Sequence, residues 1–335
     1  MRVKNATDRQ VGPWTVRLTH DEVLIAPDQV REIEAFANDR YLPVARTQYG
    51  RDYSPNLAMR LAGIPSPVIR FDMPPAQDGF AGVYEAEANT SGLGIAELMG
   101  VPVGKAAARA LNALGISEIG WGSAPSREAQ HEDHSIFMRS LAEHGIRTHH
   151  VSDPLSDEHG ELPLWLRAGD EDMEANGIAA VMHRCLLLHY DGGGHKGYLT
   201  EVDEARELHS FASPADVFET FPNGFCLKPK RSWGTMNTFF WLPSQRSGSI
   251  TRTKMAGMIA EALAGDREWI AQAMRLPRRC DEHYNWIWRL ILAWDGDGYK
   301  VVGGFESGRS GTLRIHGASD AVYATLRPQE VACAL

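Results

Sequence analysis

The sequence predicts a mixed α/β fold, because stretches with helical and with extended patterns alternate along the chain. Its 335 residues are enough for roughly two or three subdomains. Hydrophobic residues make up 43% and charged residues 23%, the balance of an ordinary globular protein with an apolar core. No paired cysteine spacing occurs, so we expect reduced thiols rather than disulfides at Cys185, Cys226, Cys280 and Cys333.

In the first part of the chain, apolar spacing and turn residues mark the elements. Residues 27–41 carry apolar side chains at helical spacing after an initial proline, and this predicts a helix. Residues 83–89 alternate as in a strand. Residues 95–114 form an alanine-rich helical pattern, which Gly115 is expected to end.

A strand, a helix and a second strand are predicted at residues 116–121, 126–145 and 146–151. The helix pattern ends in Gly145, and a polar loop follows at residues 152–162. Because parallel neighbours require a crossover connection, this order predicts a small parallel sheet.

The second half of the chain continues the alternation. An apolar stretch at residues 178–190 ends in a glycine-rich turn at 191–194, which could cradle a phosphate but is better interpreted as a connector. A helix is predicted at residues 255–274, and a hairpin is predicted for residues 286–294 and 299–305.

Charge and hydropathy restrict the partners. The net charge of -9 argues against general nucleic-acid binding. The first residues lack an apolar segment and no run approaches membrane-spanning length, so we expect a cytoplasmic protein without a membrane partner. A homodimer is a possible assembly.

The most informative segment is acidic and lies between residues 70 and 94. On an extended backbone Glu85, Glu87 and Asn89 would share one face, and a hairpin turn at Asp78-Gly79 could bring Asp72 beside Glu87. Hard oxygen ligands of this kind suit Mg²⁺. The alternative is an acidic edge strand whose charges deter aggregation.

A basic segment at residues 224–235 complements the acidic one. An apolar strand start leads into Lys228, Lys230 and Gly234, and such a turn can wrap a polyphosphate. Basic turns are also common on solvated surfaces. The sequence has neither a Walker loop nor a Gly-x-Gly-x-x-Gly motif after a strand, so the common phosphate loops are excluded.

The motifs and their order resemble the ATP-grasp synthetase domain of glutathionylspermidine synthase and its relatives, where the ATP-grasp elements occur in circularly permuted order. The resemblance spans about residues 65 to 325. Its segments are Arg70-Phe71-Asp72, Glu87-Ala88-Asn89, Gly194-His195-Lys196-Gly197, Leu227-Lys228-Pro229, Gln272 to Pro277, and Gly303-Gly304 to Arg314. It implies an ATP-grasp fold with a small Rossmann-like pre-ATP-grasp subdomain.

Roles for individual residues are implied by the same resemblance. Arg70 would stabilise the reacting groups, and Mg²⁺ would be held by Asp72, Glu87 and Asn89, since the Glu-x-Asn spacing favours Glu87 over Glu85. ATP contacts are implied for Ser91, Lys196, Lys228, Lys230, Gly234 and Gln272. Substrate contacts are implied for Glu132, Arg184 and Arg314, although Arg184 fits the edge of a core equally well.

The implied domains are residues 1–115, the N-terminal part of the ATP-grasp with the metal-binding strands, and residues 116–165, the small α/β subdomain. Residues 166–335 would form the ATP-binding lobes. The implied activity is that of a carboxylate-amine ligase that uses ATP and Mg²⁺ and forms an acylphosphate from small-molecule substrates.

Two other classes of function remain open at this point. A phosphotransferase could use the same nucleotide and metal groups, and a non-catalytic nucleotide-binding protein could keep the fold with a weakened site. A zinc site near His131, His134 and His149-His150 is disfavoured, because the segment His131-Glu132-Asp133-His134 lacks the His-Glu-x-x-His spacing of zinc-binding helices.

Overall fold

The computed structural model describes residues 6–52, 56–75, 79–88, 91–156, 160–168, 177–187, 196–230, 237–244, 248–276, 278–281, 284–313, 315 and 321–329. Within these residues the fold is mixed α/β, as predicted, with three sheets and flanking helices. The residues of the glycine turn 191–194, the basic turn 231–235 and Asp78, Asn89 and Arg314 lie outside them.

The largest sheet runs in the order β1-β2-β15-β14-β13-β3-β4, and β12 pairs with β13. Neighbouring strands are antiparallel except β2 and β15, which are parallel. The strands are β1 (Thr7–Val11), β2 (Trp14–Ile25), β3 (Val68–Met73), β4 (Glu85–Glu87), β12 (Arg278–Asp281), β13 (Tyr284–Trp294), β14 (Tyr299–Ser310) and β15 (Val322–Pro328). The pairing of β13 with β14 confirms the predicted hairpin.

Helices cover both faces of this sheet, so β3 is buried along its whole length. The helices in the first part of the chain are α1 (Pro27–Ala35), α2 (Leu42–Asp52), α3 (Leu57–Ala62), α4 (Leu93–Leu98) and α5 (Val103–Ala113). On one face Phe71 and Leu290 pack in a core with Phe36 and Tyr41, and the rings of Phe36 and Phe71 lie 5.7 Å apart. On the other face Phe305 packs with residues of the helices α4 and α5.

The middle of the chain forms a parallel sheet in the order β6-β5-β7, which confirms the predicted strand, helix and strand unit. Its elements are β5 (Glu118–Ser123), α6 (His131–Glu143), β6 (Arg147–His150) and β7 (Leu164–Arg167). A side chain at Gly122 would put its Cβ 2.7 Å from the carbonyl oxygen of Val151, so only glycine fits this close approach.

A third sheet is antiparallel, with the order β10-β9-β11-β8. Its strands are β8 (Ala205–Glu207), β9 (Phe225–Pro229), β10 (Phe239–Trp241) and β11 (Trp269–Ala273), and the helices of this region are α7 (Leu199–Val202), α8 (Pro214–Thr220) and α9 (Arg252–Ala264). One face packs on α8 and α9 through Phe218, Phe225, Trp241 and Ile259. The strand start predicted before the basic turn is confirmed as β9.

Two predicted helices have different limits. The helix predicted at 95–114 is two helices, α4 and α5, because Gly100 adopts φ +77° and Pro102 precedes the first residue of α5. The helix predicted at 255–274 ends at Ala264. Residues 269–273 form β11 instead, because pairing with β8 and β9 places Ile270 and Ala271 in the core.

Other helical segments agree in position but change type. The pattern at 27–41 forms α1 and then a π-helix at Phe36–Tyr41, which leads directly into α2. The pattern at 126–145 begins as a 3₁₀-helix, Pro125–Gln130, before α6. The apolar stretch at 178–190 contains the 3₁₀-helix Ile178–Arg184. In the part of the chain that the structure describes, no helix is long and apolar enough to span a membrane. The division at residues 115 and 165 stays a prediction.

Candidate functional site

A cleft of about 620 Å³, counted to its open mouth, lies where β3, β4 and β13 of the large sheet approach the antiparallel sheet of β8 to β11. This size is typical of small-molecule sites. Its lining residues are Asp72, Tyr84, Glu85, Lys196, Cys226, Lys228, Thr238, Phe240, Gln272, Met274, Ile287, Leu313 and Ile315. The cleft therefore combines an apolar surface with charged groups.

Charged side chains form a row on one face of the large sheet. Arg70 lies opposite Glu87, and Asp72 lies between Glu85 on one side and Arg289 on the other. Because directly opposed residues project to the same face, all five side chains share it. The pairing of β3 with β4 places Asp72 opposite Glu85 and diagonal to Glu87, not directly beside Glu87 as predicted.

Arg70 is at the centre of this row and is 1% exposed. Its Nε donates to Asp72 Oδ1 at 2.8 Å, and its terminal nitrogens reach Asp72 Oδ2 at 3.3 Å, Glu87 Oε1 at 2.7 Å and the Ser91 carbonyl at 2.7 Å. Burial alone would lower the pKa of Arg70, but Asp72, Glu87 and Glu85 outweigh it and raise the pKa. The guanidinium therefore stays charged and holds the acidic strands together.

The carboxylates of the row repel one another. Burial raises the pKa of Glu87, and Asp72 and Glu85 add to the increase, although Arg70 opposes it. Three protein cations lie against these three carboxylates: Arg70, Arg289 and Lys196. Hard oxygen donors fit Mg²⁺ chemically, but Arg70 and Arg289 contact Asp72, and Arg70 contacts Glu87. Among the described residues, no group of three or more His, Cys, Asp or Glu has the arrangement of a metal site.

Two buried lysines lie against the acidic strand β4 and the residue before it. Lys196 Nζ lies 3.0 Å from Glu85 Oε1, and Lys228 Nζ donates to the Tyr84 carbonyl at 2.8 Å. Burial lowers the pKa of Lys228, and the neighbouring Lys196 lowers it further. Both lysine side chains line the cleft. Lys230 does not line this cleft and pairs with Glu207 and Glu268 at 2.8 and 3.2 Å.

Gln272 lines the cleft and is fully buried. Its amide nitrogen donates to the Val83 carbonyl at 2.8 Å and to Asp203 Oδ2 at 2.5 Å, so both N–H groups are in use. Asp203 also binds Arg275 through two bonds of 2.5 and 2.7 Å. The side-chain oxygen of Gln272 accepts a weak hydrogen bond from the Cys226 thiol at 3.8 Å, so its predicted contact with ATP is restricted to accepting a further hydrogen bond.

The other residues predicted to belong to the site do not line the cleft where the structure describes them. Ser91 contacts Arg70 through its carbonyl and hydroxyl oxygens. Glu132 is exposed and lies 3.8 Å from Arg139, and Arg184 donates to the Leu162 carbonyl at 3.2 Å without lining the cleft. Gly234, Asn89 and Arg314 lie outside the described residues, so their roles stay predictions.

Sequence reasoning missed several groups at the site. Asp133, next to Glu132, is buried and accepts hydrogen bonds from the backbone N–H of Gly92 and Ile95, each at 2.9 Å. It thereby fixes the segment that contacts Arg70. Arg289 is a second buried cation in the charged row. Neither residue belongs to a short motif, so only strand and helix pairing reveals them.

Three histidines surround Trp121 at the carboxyl edge of the parallel sheet. The ring of His131 stacks at 5.3 Å, and those of His134 and His150 lie 5.1 and 4.8 Å away. Burial lowers the pKa of His134 well below its ordinary value, and Arg167, His131 and His150 lower it further. Burial also lowers the pKa of His150, and His131 lowers it further.

We expect the protein to lose stability as the pH falls below about 6.5, because the unfolded state then binds a proton that folded His134 does not. The variant His134→Gln should show a smaller difference in unfolding free energy between pH 7.5 and 5.5. Urea unfolding at both pH values measures this difference. An equal pH dependence in both proteins would contradict the expectation, and His20→Gln, a change at an exposed position, is the control.

Comparisons with known proteins give limited information. No family model matches the chain, and no curated protein matches it. A similar solved structure, named as a "Putative gamma-glutamylcysteine synthetase" from Methylobacillus flagellatus KT, has 11% sequence identity and a TM-score of 0.42. The match covers 86% of this chain and 83% of the other. The function is therefore inferred from the cleft itself.

Proposed function

We propose that the protein is an ATP-dependent ligase that joins a carboxylate to an amine. The observation that carries the proposal is that Asp72 and Glu85 line the same cleft as Lys196 and Lys228. Carboxylates and lysines side by side suit a metal-bound polyphosphate, because the carboxylates attract the cation and the lysines attract phosphate oxygens. The apolar side chains of Phe240 and Met274 offer a surface for the base.

In this proposal the fold is an ATP-grasp fold in circularly permuted order. The strands with Arg70, Asp72 and Glu87 precede Lys196 and Lys228 in the chain, which is the order of the resemblance to glutathionylspermidine synthase. The proposal includes the parallel sheet of β5 to β7 as the pre-ATP-grasp subdomain.

Each group then has a defined task. Lys196 and Lys228 bind phosphate oxygens after releasing Glu85 and the Tyr84 carbonyl. Asp72 and Glu87, with Asn89, would hold Mg²⁺, which supplies charge neutralisation when bound. Arg70 keeps the two carboxylates in place. Transfer of the γ-phosphoryl group to the substrate carboxylate gives an acylphosphate, and an amine then displaces the phosphate.

The reaction is tested by ADP release in a pairwise screen of carboxylates and amines. With an active pair, hydroxylamine in place of the amine should trap the activated carboxylate as a hydroxamate. ADP formation with a stable phosphorylated hydroxyl compound and no hydroxamate would identify a phosphotransferase instead. Nucleotide binding without turnover of any pair would favour a non-catalytic protein.

Replacement of either buried lysine tests nucleotide binding. In Lys228→Ala and Lys196→Ala, ATP affinity should fall by about tenfold or more, because a charge-assisted contact contributes about 1.5 to 3 kcal/mol. Calorimetry with Mg-ATP measures the change. Lys300→Ala is the matched control, since this lysine is exposed and pairs with Glu34. Unchanged ATP affinity in both cleft variants would refute the two lysines as the phosphate site.

A further inference from the structure

Arg289 is a buried cation that the proposed function has not yet used. It projects from β13 on the same face as Asp72 and is 8% exposed. One terminal nitrogen donates to the Ile315 carbonyl at 3.2 Å. Its Nε lies 3.7 Å from Asp72 Oδ2, too far for a hydrogen bond, and has no acceptor among the described residues.

Arg70 and Arg289 therefore differ in what they can still bind. All three nitrogens of Arg70 already donate to Asp72, Glu87 or Ser91. A new anion at Arg70 would have to displace one of these acceptors. Arg289 retains a buried Nε donor that could donate to an anion without the loss of a short hydrogen bond, and a buried donor without an acceptor is costly.

Arg289 lies directly behind the lining of the cleft. Asp72 and Ile315, its two contacts, both line the cleft, and so does Ile287, two residues before it on the same strand face. Across the strands the charges run from Lys196 through Glu85 and Asp72 to Arg289. A cation therefore lies at each end of the acidic pair.

We propose that Arg289 contacts the γ-phosphate of bound ATP and keeps this contact while the phosphoryl group is transferred. Arg70 positions the carboxylates of Asp72 and Glu87. This inference rests on the proposed function. In the step concerned, the bond from the γ-phosphorus to the bridging oxygen breaks and ADP keeps the electron pair. A carboxylate oxygen of the substrate forms the new bond to phosphorus, and Arg289 neither gains nor loses a proton.

The test compares the affinities of Mg-ATP and Mg-ADP by calorimetry, which requires no knowledge of the other substrates. Wild-type protein should bind ATP more tightly than ADP. In Arg289→Gln the ATP affinity should fall about tenfold while the ADP affinity changes little, because only ATP carries the γ-phosphate. Arg327→Gln is the control, since Arg327 is partly exposed and pairs with Glu22.

Arg289→Lys provides a second variant in case Arg289→Gln does not fold. It keeps a positive charge beside Asp72 but lacks the planar fork, so it should lose part of the preference for ATP. An unchanged ratio of ATP to ADP affinity, or an equal loss for both nucleotides, would overturn the role of Arg289 and leave the proposed function standing. Wild-type protein that binds neither nucleotide would overturn both.

Discussion

Replacing Asp72 by Asn is expected to abolish ADP formation while the fold persists. Asp72 lines the cleft, and the change removes the negative charge that a hard cation requires. Glu87→Gln should have a comparable effect. Glu85→Gln should be milder, because Glu85 pairs with Lys196 and the Glu-x-Asn spacing favours Glu87 as the ligand. The measurement is ADP release across a Mg²⁺ titration, with thermal unfolding to show that each variant is folded.

Glu207→Gln is the matched control for these substitutions, since Glu207 is half-exposed and pairs with Lys230 outside the cleft. Full activity of Asp72→Asn would rule out Asp72 as a metal ligand. A loss in Glu85→Gln as large as in Glu87→Gln would mean that the spacing does not distinguish the two glutamates. Recovery of Glu87→Gln at high Mg²⁺ would indicate weakened metal binding rather than misfolding.

Local sequence patterns were sufficient to predict several elements of the fold and the relative placement of some side chains in the cleft. Alternation placed Glu85 and Glu87 on one face, and the hairpin of β13 and β14 followed from its turn residues. Both features depend on neighbouring residues. The strand that carries Lys228 could also be predicted, because its apolar residues and the basic residues that follow are contiguous in the sequence.

Features that depend on long-range pairing could not be predicted. The helix predicted at residues 255–274 fails at β11, where hydrogen bonds to β8 and β9 override the local pattern. The role of Arg289 depends on the pairing of β13 with β3. The contacts of Gln272 with Val83 and Asp203 likewise join segments far apart in the sequence.

One physical property unites the residues of the charged row. Protein cations compensate its carboxylates: Arg70 contacts Asp72 and Glu87, and Lys196 contacts Glu85. Binding of a metal and a nucleotide would therefore exchange one set of ionic contacts for another. Such an exchange costs less than desolvating isolated charges, because the lysines and carboxylates are already buried.

Arg70→Ala should consequently lower both stability and turnover. Removal of the guanidinium leaves buried Asp72 and partly buried Glu87 without their main counter-ion, and breaking such a buried pair costs about 3 to 5 kcal/mol. Turnover should fall far more than ATP affinity, since Lys196 and Lys228 are unchanged. Arg70→Lys should restore only part of either property, because an ammonium cannot match the five donors of the fork.

The effect of Mg²⁺ on stability can distinguish an electrostatic role of Arg70 from a role in packing alone. In urea unfolding, Mg²⁺ should stabilise Arg70→Ala more than wild-type protein, because the cation can compensate the carboxylates that Arg70 leaves. Arg17→Ala, which removes an exposed partner of Asp8, is the control. It should neither lose stability nor be stabilised by Mg²⁺ beyond the wild-type protein. If Arg70→Ala unfolds at the same urea concentration as wild type and does not respond to Mg²⁺, the carboxylate row does not depend on Arg70. The metal would then bind elsewhere.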